Sequence, residues 1–199
     1  MSKPLAVDLF AEDYAHEAFL SAMVERLARM EKRTVSLRAR SARGGHGRAI
    51  SELALYQKAV LTGVGGMSVP DLLVVVIDAN CTRFNEAKKA IEGEIEVPFR
   101  DRTVVACPDP HVERWYLADP ESFTQVVGIA PKMGKRKCGR ELYKRILSKA
   151  VASAGHASTL GGIEFARELV EAMDLYRAGK VEKSLKHLID DLSVQVKSH

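Results

Sequence analysis

The sequence predicts an α/β protein: a mostly parallel sheet flanked by helices, with a helical C-terminal extension. Three observations carry this. Short apolar or β-branched runs alternate with segments of helical periodicity through the first half. One run, Leu72-Leu73-Val74-Val75-Val76-Ile77, is apolar throughout, as a strand buried on both faces requires. After Pro108-Asp109-Pro110 the strand signals stop and helical patterns take over.

Taken in order, Leu5 to Ala11 is the first apolar run. Tyr14 to Met30 follows with Ala15, Phe19, Ala22, Met23, Leu27 and Met30 at helical spacing. Thr34 to Arg38 alternates and reads as a second strand. Gly44-Gly45-His46-Gly47 reads as a loop, and Arg48 to Leu61 as a helix turning Ile50, Leu53, Ala54 and Val60 inward. Asp71 to Ile77 is the central strand, Thr82 to Glu94 a helix, and Arg102 to Cys107 a fourth strand. This β-α-β-α-β-α-β order favours parallel pairing, because each strand is separated from the next by a crossover. Helices are then expected near His111 to Ala118, Pro120 to Val127, Arg140 to Ala154, Gly162 to Ala178 and Val181 to Val196, with a frayed end at Lys197-Ser198-His199. The division is residues 1–119 as the α/β core and 120–199 as a helical extension packed on it.

The 199 residues are 46% hydrophobic and 28% charged, enough apolar material for a real core, so wholesale disorder is excluded. No apolar run approaches the roughly 20 residues of a bilayer span, and no signal peptide is recognisable, so no membrane partner and a cytoplasmic location are expected. Cys81, Cys107 and Cys138 are far apart and odd in number, which fits reduced thiols better than a disulfide frame. A half-buried structural thiol is the reading for Cys81. His16 is expected on a helix surface or at an interface. Trp115 is assigned to the core.

Net charge is +4, and its clustering matters more than its total. Between Lys32 and Arg48 no acid accompanies the bases, and Arg43 and Arg48 flank the glycine loop. Between Lys132 and Lys149 eight bases face only Glu141. Lys132, Lys135, Arg136, Lys137 and Arg140 lie in or beside a Gly-bounded basic loop leading into a helix, an electrostatic footprint for phosphates. The loop Gly44 to Gly47 lacks the Lys-Ser/Thr ending of a P-loop, which argues against nucleotide hydrolysis by this chain.

Acidic side chains fall after three strands: Glu12 and Asp13 after the first, Asp78 after the central one with Asn80 two residues on, and Glu113 after the fourth. Parallel sheets gather functional groups at the carboxyl ends of their strands. Carboxylates converging there make an oxygen-rich site of the kind Mg²⁺ or Mn²⁺ prefers. The structural alternatives are a first-turn acid for Glu12, a helix cap for Asp78 and a solvated partner of Arg114 for Glu113.

These segments resemble TOPRIM-like proteins related to the OLD-type nucleases of prokaryotic anti-phage systems. Val7-Asp8-Leu9-Phe10-Ala11-Glu12-Asp13 followed by Ala15 to Leu20 resembles the family's strand-Glu-helix start. Leu72 to Ile77 with Asp78-Ala79-Asn80 resembles its strand-Asp-x-Asp element, and Val112 to Asp119 resembles a Glu-x-Trp-x-Leu-Ala-Asp segment. The resemblance covers about the first 120 residues. It implies Glu12, Asp78 and Glu113 as catalytic residues and metal ligands, with Asn80 as a fourth, uncharged ligand replacing the second aspartate. Mg²⁺ or Mn²⁺ would be the cofactor and a nucleic-acid phosphodiester, DNA or RNA, the substrate, held by Arg43, Arg48, Lys132, Lys135, Arg136, Lys137 and Arg140. An ABC-type ATPase is the implied partner, and a homo-oligomer is left open. The alternative is a non-catalytic module that binds an ATPase or nucleic acid.

Overall fold

The computed structural model describes residues 3–42, 44–135, 138–139 and 141–199. Arg43, Arg136, Lys137 and Arg140, all expected to hold nucleic acid, lie outside the described residues.

Four strands, β1 (Leu5–Ala11), β2 (Val35–Ser41), β3 (Leu72–Val76) and β4 (Thr103–Ala106), form one sheet in the order β2-β1-β3-β4, every pairing parallel. The predicted α/β class and parallel sheet are therefore present. The crossovers are helices α1 (Tyr14–Met30), α2 (His46–Leu61) and α3 (Phe84–Gly93). Chain direction across the sheet reverses at β1, whose two neighbours are β2 and β3.

The two-residue period of the strands sorts their side chains onto two faces. Val7, Leu9, Leu72, Val74, Val76, Val104 and Ala106 face α1 and all the later helices. Phe10, Leu73, Val75, Ile77 and Val105 face α2, α3 and Phe99. Those later helices are α4 (Glu113–Tyr116), α5 (Pro120–Val127), α6 (Leu142–Ser153), α7 (Ala166–Ala172), α8 (Leu175–Val181) and α9 (Lys183–Ser198). Residues on both sides of Asp119 share this core, with Trp115 at its centre and fully buried.

Several local expectations are corrected. Helix α2 starts at His46, not Arg48, capped by the backbone of Gly45, and it buries Ala49 and Tyr56 while Ala54 is exposed. The single helix expected over 162–178 is broken into a short 3-10 turn, α7 and α8. The break is stabilised by both long-range and local bonds. The guanidinium of Arg26, on α1, donates to the carbonyls of Val170 and Met173, and Asp174 then caps α8 by accepting from the Arg177 amide at 2.9 Å. At the C-terminus, where a frayed end is expected, α9 runs to Ser198 and Lys197 reaches Glu31 at 3.2 Å.

Candidate metal centre

The carboxyl ends of β1, β3 and β4 lie along one edge, and β1 and β3 straddle the point where strand order reverses. Open parallel sheets bind ligands in the crevice at such a point. Here the crevice is a cavity of about 830 Å³ whose lining includes Glu12, Asp78, His111, Glu113 and Lys144.

Glu12 is delivered by the last backbone bond of β1, its N–H donating to Val76 O at 3.0 Å. It is not the first-turn acid of α1. That role falls to Asp13, whose Oδ1 accepts from the amides of Ala15 and His16 at 2.9 and 3.2 Å. Glu12 is left free to reach across to β3, where its Oε2 accepts from the Asp78 amide at 2.9 Å. Nor does Asp78 cap a helix, since α3 begins at Phe84 after Arg83. Both Asp78 oxygens accept from imidazoles: Oδ1 from His16 Nε2 at 2.8 Å and Oδ2 from His111 Nδ1 at 3.1 Å.

His16 corrects the expectation of a surface histidine. It is 1% exposed and bridges Asp13, at 2.7 Å from Nδ1, to Asp78. The signal was in the periodicity: 16, 20, 23 and 27 form one stripe of α1, and Leu20, Met23 and Leu27 are buried with it. His111, which sequence reasoning did not single out, reaches Asp78 because two backbone bonds join its loop to the loop after β3: Ala79 N to Pro108 O at 2.8 Å and Asn80 N to Pro110 O at 3.2 Å. Its Nε2 is buried and without a hydrogen-bond partner among the described residues.

Glu113 is buried at the same cavity, and is neither solvated nor paired with Arg114, which binds Glu182 instead. Among the described residues its salt-bridge partner is Lys144, at 4.0 Å. Asn80 lines the cavity too, but not through continued strand geometry. The strand has ended, and Asn80 sits exposed in the left-handed region at φ 46°. Gly44, Gly45 and His46 bring the glycine loop to the same wall. Arg48 pairs with Glu52 at 2.6 Å, and Lys132 and Lys135 are exposed and do not line the cavity.

The expectation of three reduced thiols is corrected as well. Cys81 and Cys138 form a disulfide across 57 residues, with Cα atoms 5.5 Å apart. Cys81 is exposed and bonded, not a half-buried thiol. Sequence spacing could not foresee this, because the pair joins the loop after β3 to the segment ahead of α6 at the cavity rim. Cys107 alone is free and buried, and burial pushes its thiol up to about 12.

The electrostatics follow from burial and from these pairings. Burial raises the carboxyl of Glu12, and the Asp78 charge raises it further. Burial likewise raises Glu113. Burial would raise Asp78 too, but the charge of His16 and the bonds from both histidines hold it below the ordinary carboxylate value. Burial would depress His16; Asp78 and Asp13 overcome it and drive the imidazole well above its usual value. With a carboxylate on each nitrogen, His16 is a double donor, an imidazolium.

Glu12, His16 and Asp78 each offer a ligand atom, and these atoms lie within 4.8 Å of one another, so the group could bind a metal ion. The donor chemistry favours the oxygens. His16 already spends both nitrogens on carboxylates, whereas each carboxylate oxygen has a second acceptor site left after one hydrogen bond. No described helix is long and apolar enough to cross a membrane. Fold and site thus define an α/β protein with a candidate metal centre at the topological switch point. No family model, curated protein or solved structure matched the chain in the comparisons made.

Proposed function

We propose that the chain is a metal-dependent nuclease of TOPRIM-like type, cleaving nucleic-acid phosphodiesters at the Glu12–Asp78–Glu113 cavity. The observation that carries this reading is that three buried carboxylates, two directly after β1 and β3 and one at the start of α4, line a single cavity at the switch point. Glu12 and Asp78 would hold Mg²⁺ or Mn²⁺, with Glu113 and Asn80 lining the same cavity. A bound divalent ion supplies charge neutralisation at a phosphoryl oxygen and a lowered water pKa.

The chain's own residues do the rest. His16 and His111 fix the Asp78 carboxylate from both sides, so it meets a cation without reorganising. The Asp78 amide orients Glu12. Lys144, beside Glu113, carries a positive charge to the cavity mouth where a phosphate would enter. The three motif resemblances extend the proposal to a role as effector of an anti-phage system with an ABC-type ATPase partner.

One observation favours a second reading, a non-catalytic partner module. Both oxygens of Asp78 are already engaged by imidazoles, which offset its charge without a metal. The two readings separate in one experiment. The full chain is incubated with labelled DNA and RNA oligonucleotides and with bis(p-nitrophenyl) phosphate, in Mn²⁺, Mg²⁺ or EDTA. Cleavage that needs metal and is lost in Glu12→Gln supports the nuclease. Absence of cleavage together with absence of Mn²⁺ binding by calorimetry overturns it.

A further inference from the structure

Next to the acidic cavity runs a second groove, of about 500 Å³, that shares Glu113 and Lys144 with it. One wall is the exposed face of α6, where Lys144, Arg145, Ser148 and Lys149 project in successive turns. The other wall is the turn holding Leu160, Gly161 and Ile163.

That turn is held against α6 by specific contacts. Gly162 lies so close to the helix that a Cβ there would come within 2.7 Å of Leu147 Cγ and 3.1 Å of Val151 Cγ2, and its φ of +98° suits glycine. Ser148 Oγ meets Ser158 Oγ at 3.1 Å. Glu164 gathers the amides of Thr159, Leu160 and Gly162 at 2.9 to 3.3 Å, which fixes the turn's shape. The groove is therefore built, with a basic wall and an apolar opposite side that leaves Leu160 49% exposed.

We infer that this groove is the subsite for a single-stranded polynucleotide flanking the scissile phosphate. The inference rests on the nuclease reading for what happens next door, and on the groove itself for the ligand. Charge points to a polyanion. Among the described residues Arg145 and Lys149 have no acidic partner, and Glu113, the groove's one acid, is met by Lys144. Shape points to a single strand. Glu12, Asp78 and Glu113 are 7%, 7% and 3% exposed, recessed below the cavity mouth. A flexible single strand follows a surface down to such recessed groups more readily than a rigid duplex does. Unpaired bases also present apolar faces against which Leu160 and Ile163 can pack.

The test measures anisotropy of fluorescein-labelled oligo(dT), oligo(rU) and a duplex of equal length against the full chain, in EDTA, across a salt series. The variants are Arg145→Ala with Lys149→Ala, and a control removing two bases on the α2–α3 face, Lys58→Ala with Lys89→Ala. Two lost phosphate contacts at ~0.7 counterion each should flatten the log–log salt slope by about 1.4 and weaken single-strand binding about 25-fold at 0.1 M salt. The control should match wild type. Unchanged affinity and slope in the groove variant overturn the inference. So does a duplex that binds as tightly as the single strands and is weakened equally. Mn²⁺ binding and bis(p-nitrophenyl) phosphate cleavage are followed in parallel, because that small diester needs no groove. Cleavage retained in every variant with no oligonucleotide effect sinks the groove alone. Groove-dependent binding with neither cleavage nor Mn²⁺ binding sinks the nuclease reading and leaves the groove standing.

Discussion

The carboxylate of Asp119 should act as a pH-dependent clasp between α5 and α8, and Asp119→Asn should expose it. Asp119 is 2% exposed and accepts four hydrogen bonds: from Ser122 Oγ at 2.5 Å, the Asp174 amide at 2.8 Å, and Arg177 Nε and Nη2 at 3.0 and 2.9 Å. Burial opposes its ionisation, but these donors win and hold the carboxyl at about 2, against an ordinary 3.8. A carboxyl held that far below its ordinary value prefers its charged form by about 2 kcal/mol. Arg177 is 42% exposed, so solvent screens its share, and about 1–2 kcal/mol is the working figure. The folded-state value is depressed, so this stability is fully present above the unfolded value and is lost as pH falls from about 4 through 2. Urea unfolding of wild type and Asp119→Asn at pH 6, 4, 3 and 2 reads it directly. The other carboxylates titrate in both proteins and cancel in the difference. The wild-type advantage should shrink by about 1–2 kcal/mol over that window. A difference that stays flat with pH would refute the argument.

Other expectations follow from single residues. Asp78→Asn should abolish Mn²⁺ binding and any metal-dependent cleavage. Asp78→Ala should also lower stability by about 3 kcal/mol, because it strips two buried imidazoles of their shared acceptor; calorimetry and urea melts distinguish the two effects. Gly162→Ala should cost about 1–3 kcal/mol, since the new methyl meets Leu147 and the backbone is left-handed; a thermal melt equal to wild type would count against the close packing of turn and helix. Cys81→Ser should lower stability under oxidising conditions by up to about 4 kcal/mol, the chain-entropy value for a 57-residue loop, and by nothing once reductant is added to both proteins.

Much of the fold is legible in the chain alone. Periodicity and caps are local properties, and Leu5–Ala11, Tyr14–Met30 and Pro120–Val127 are read with their observed bounds. The run from Leu72 to Ile77 announces a central strand because a strand covered on both faces favours apolar residues at every position. The acids after three strands are visible for the same reason, since parallel connection puts every strand's carboxyl end on one edge.

Pairing between distant segments is what the tertiary structure decided. Strand order β2-β1-β3-β4 is not written in any local pattern, yet it alone sets Glu12 beside Asp78. His16 looked like one more polar position on α1 until the end of β3 packed over it, and His111 joined Asp78 only through bonds between two loops. Arg26 bonds a carbonyl at the end of α7 from 144 residues away in the chain, and Cys81 finds Cys138 across 57. Local sequence determines which elements form, because their hydrogen bonds close within a few residues. Which groups meet is set by the packing of those elements into shared cores, where burial and desolvation reward contacts that sequence distance conceals.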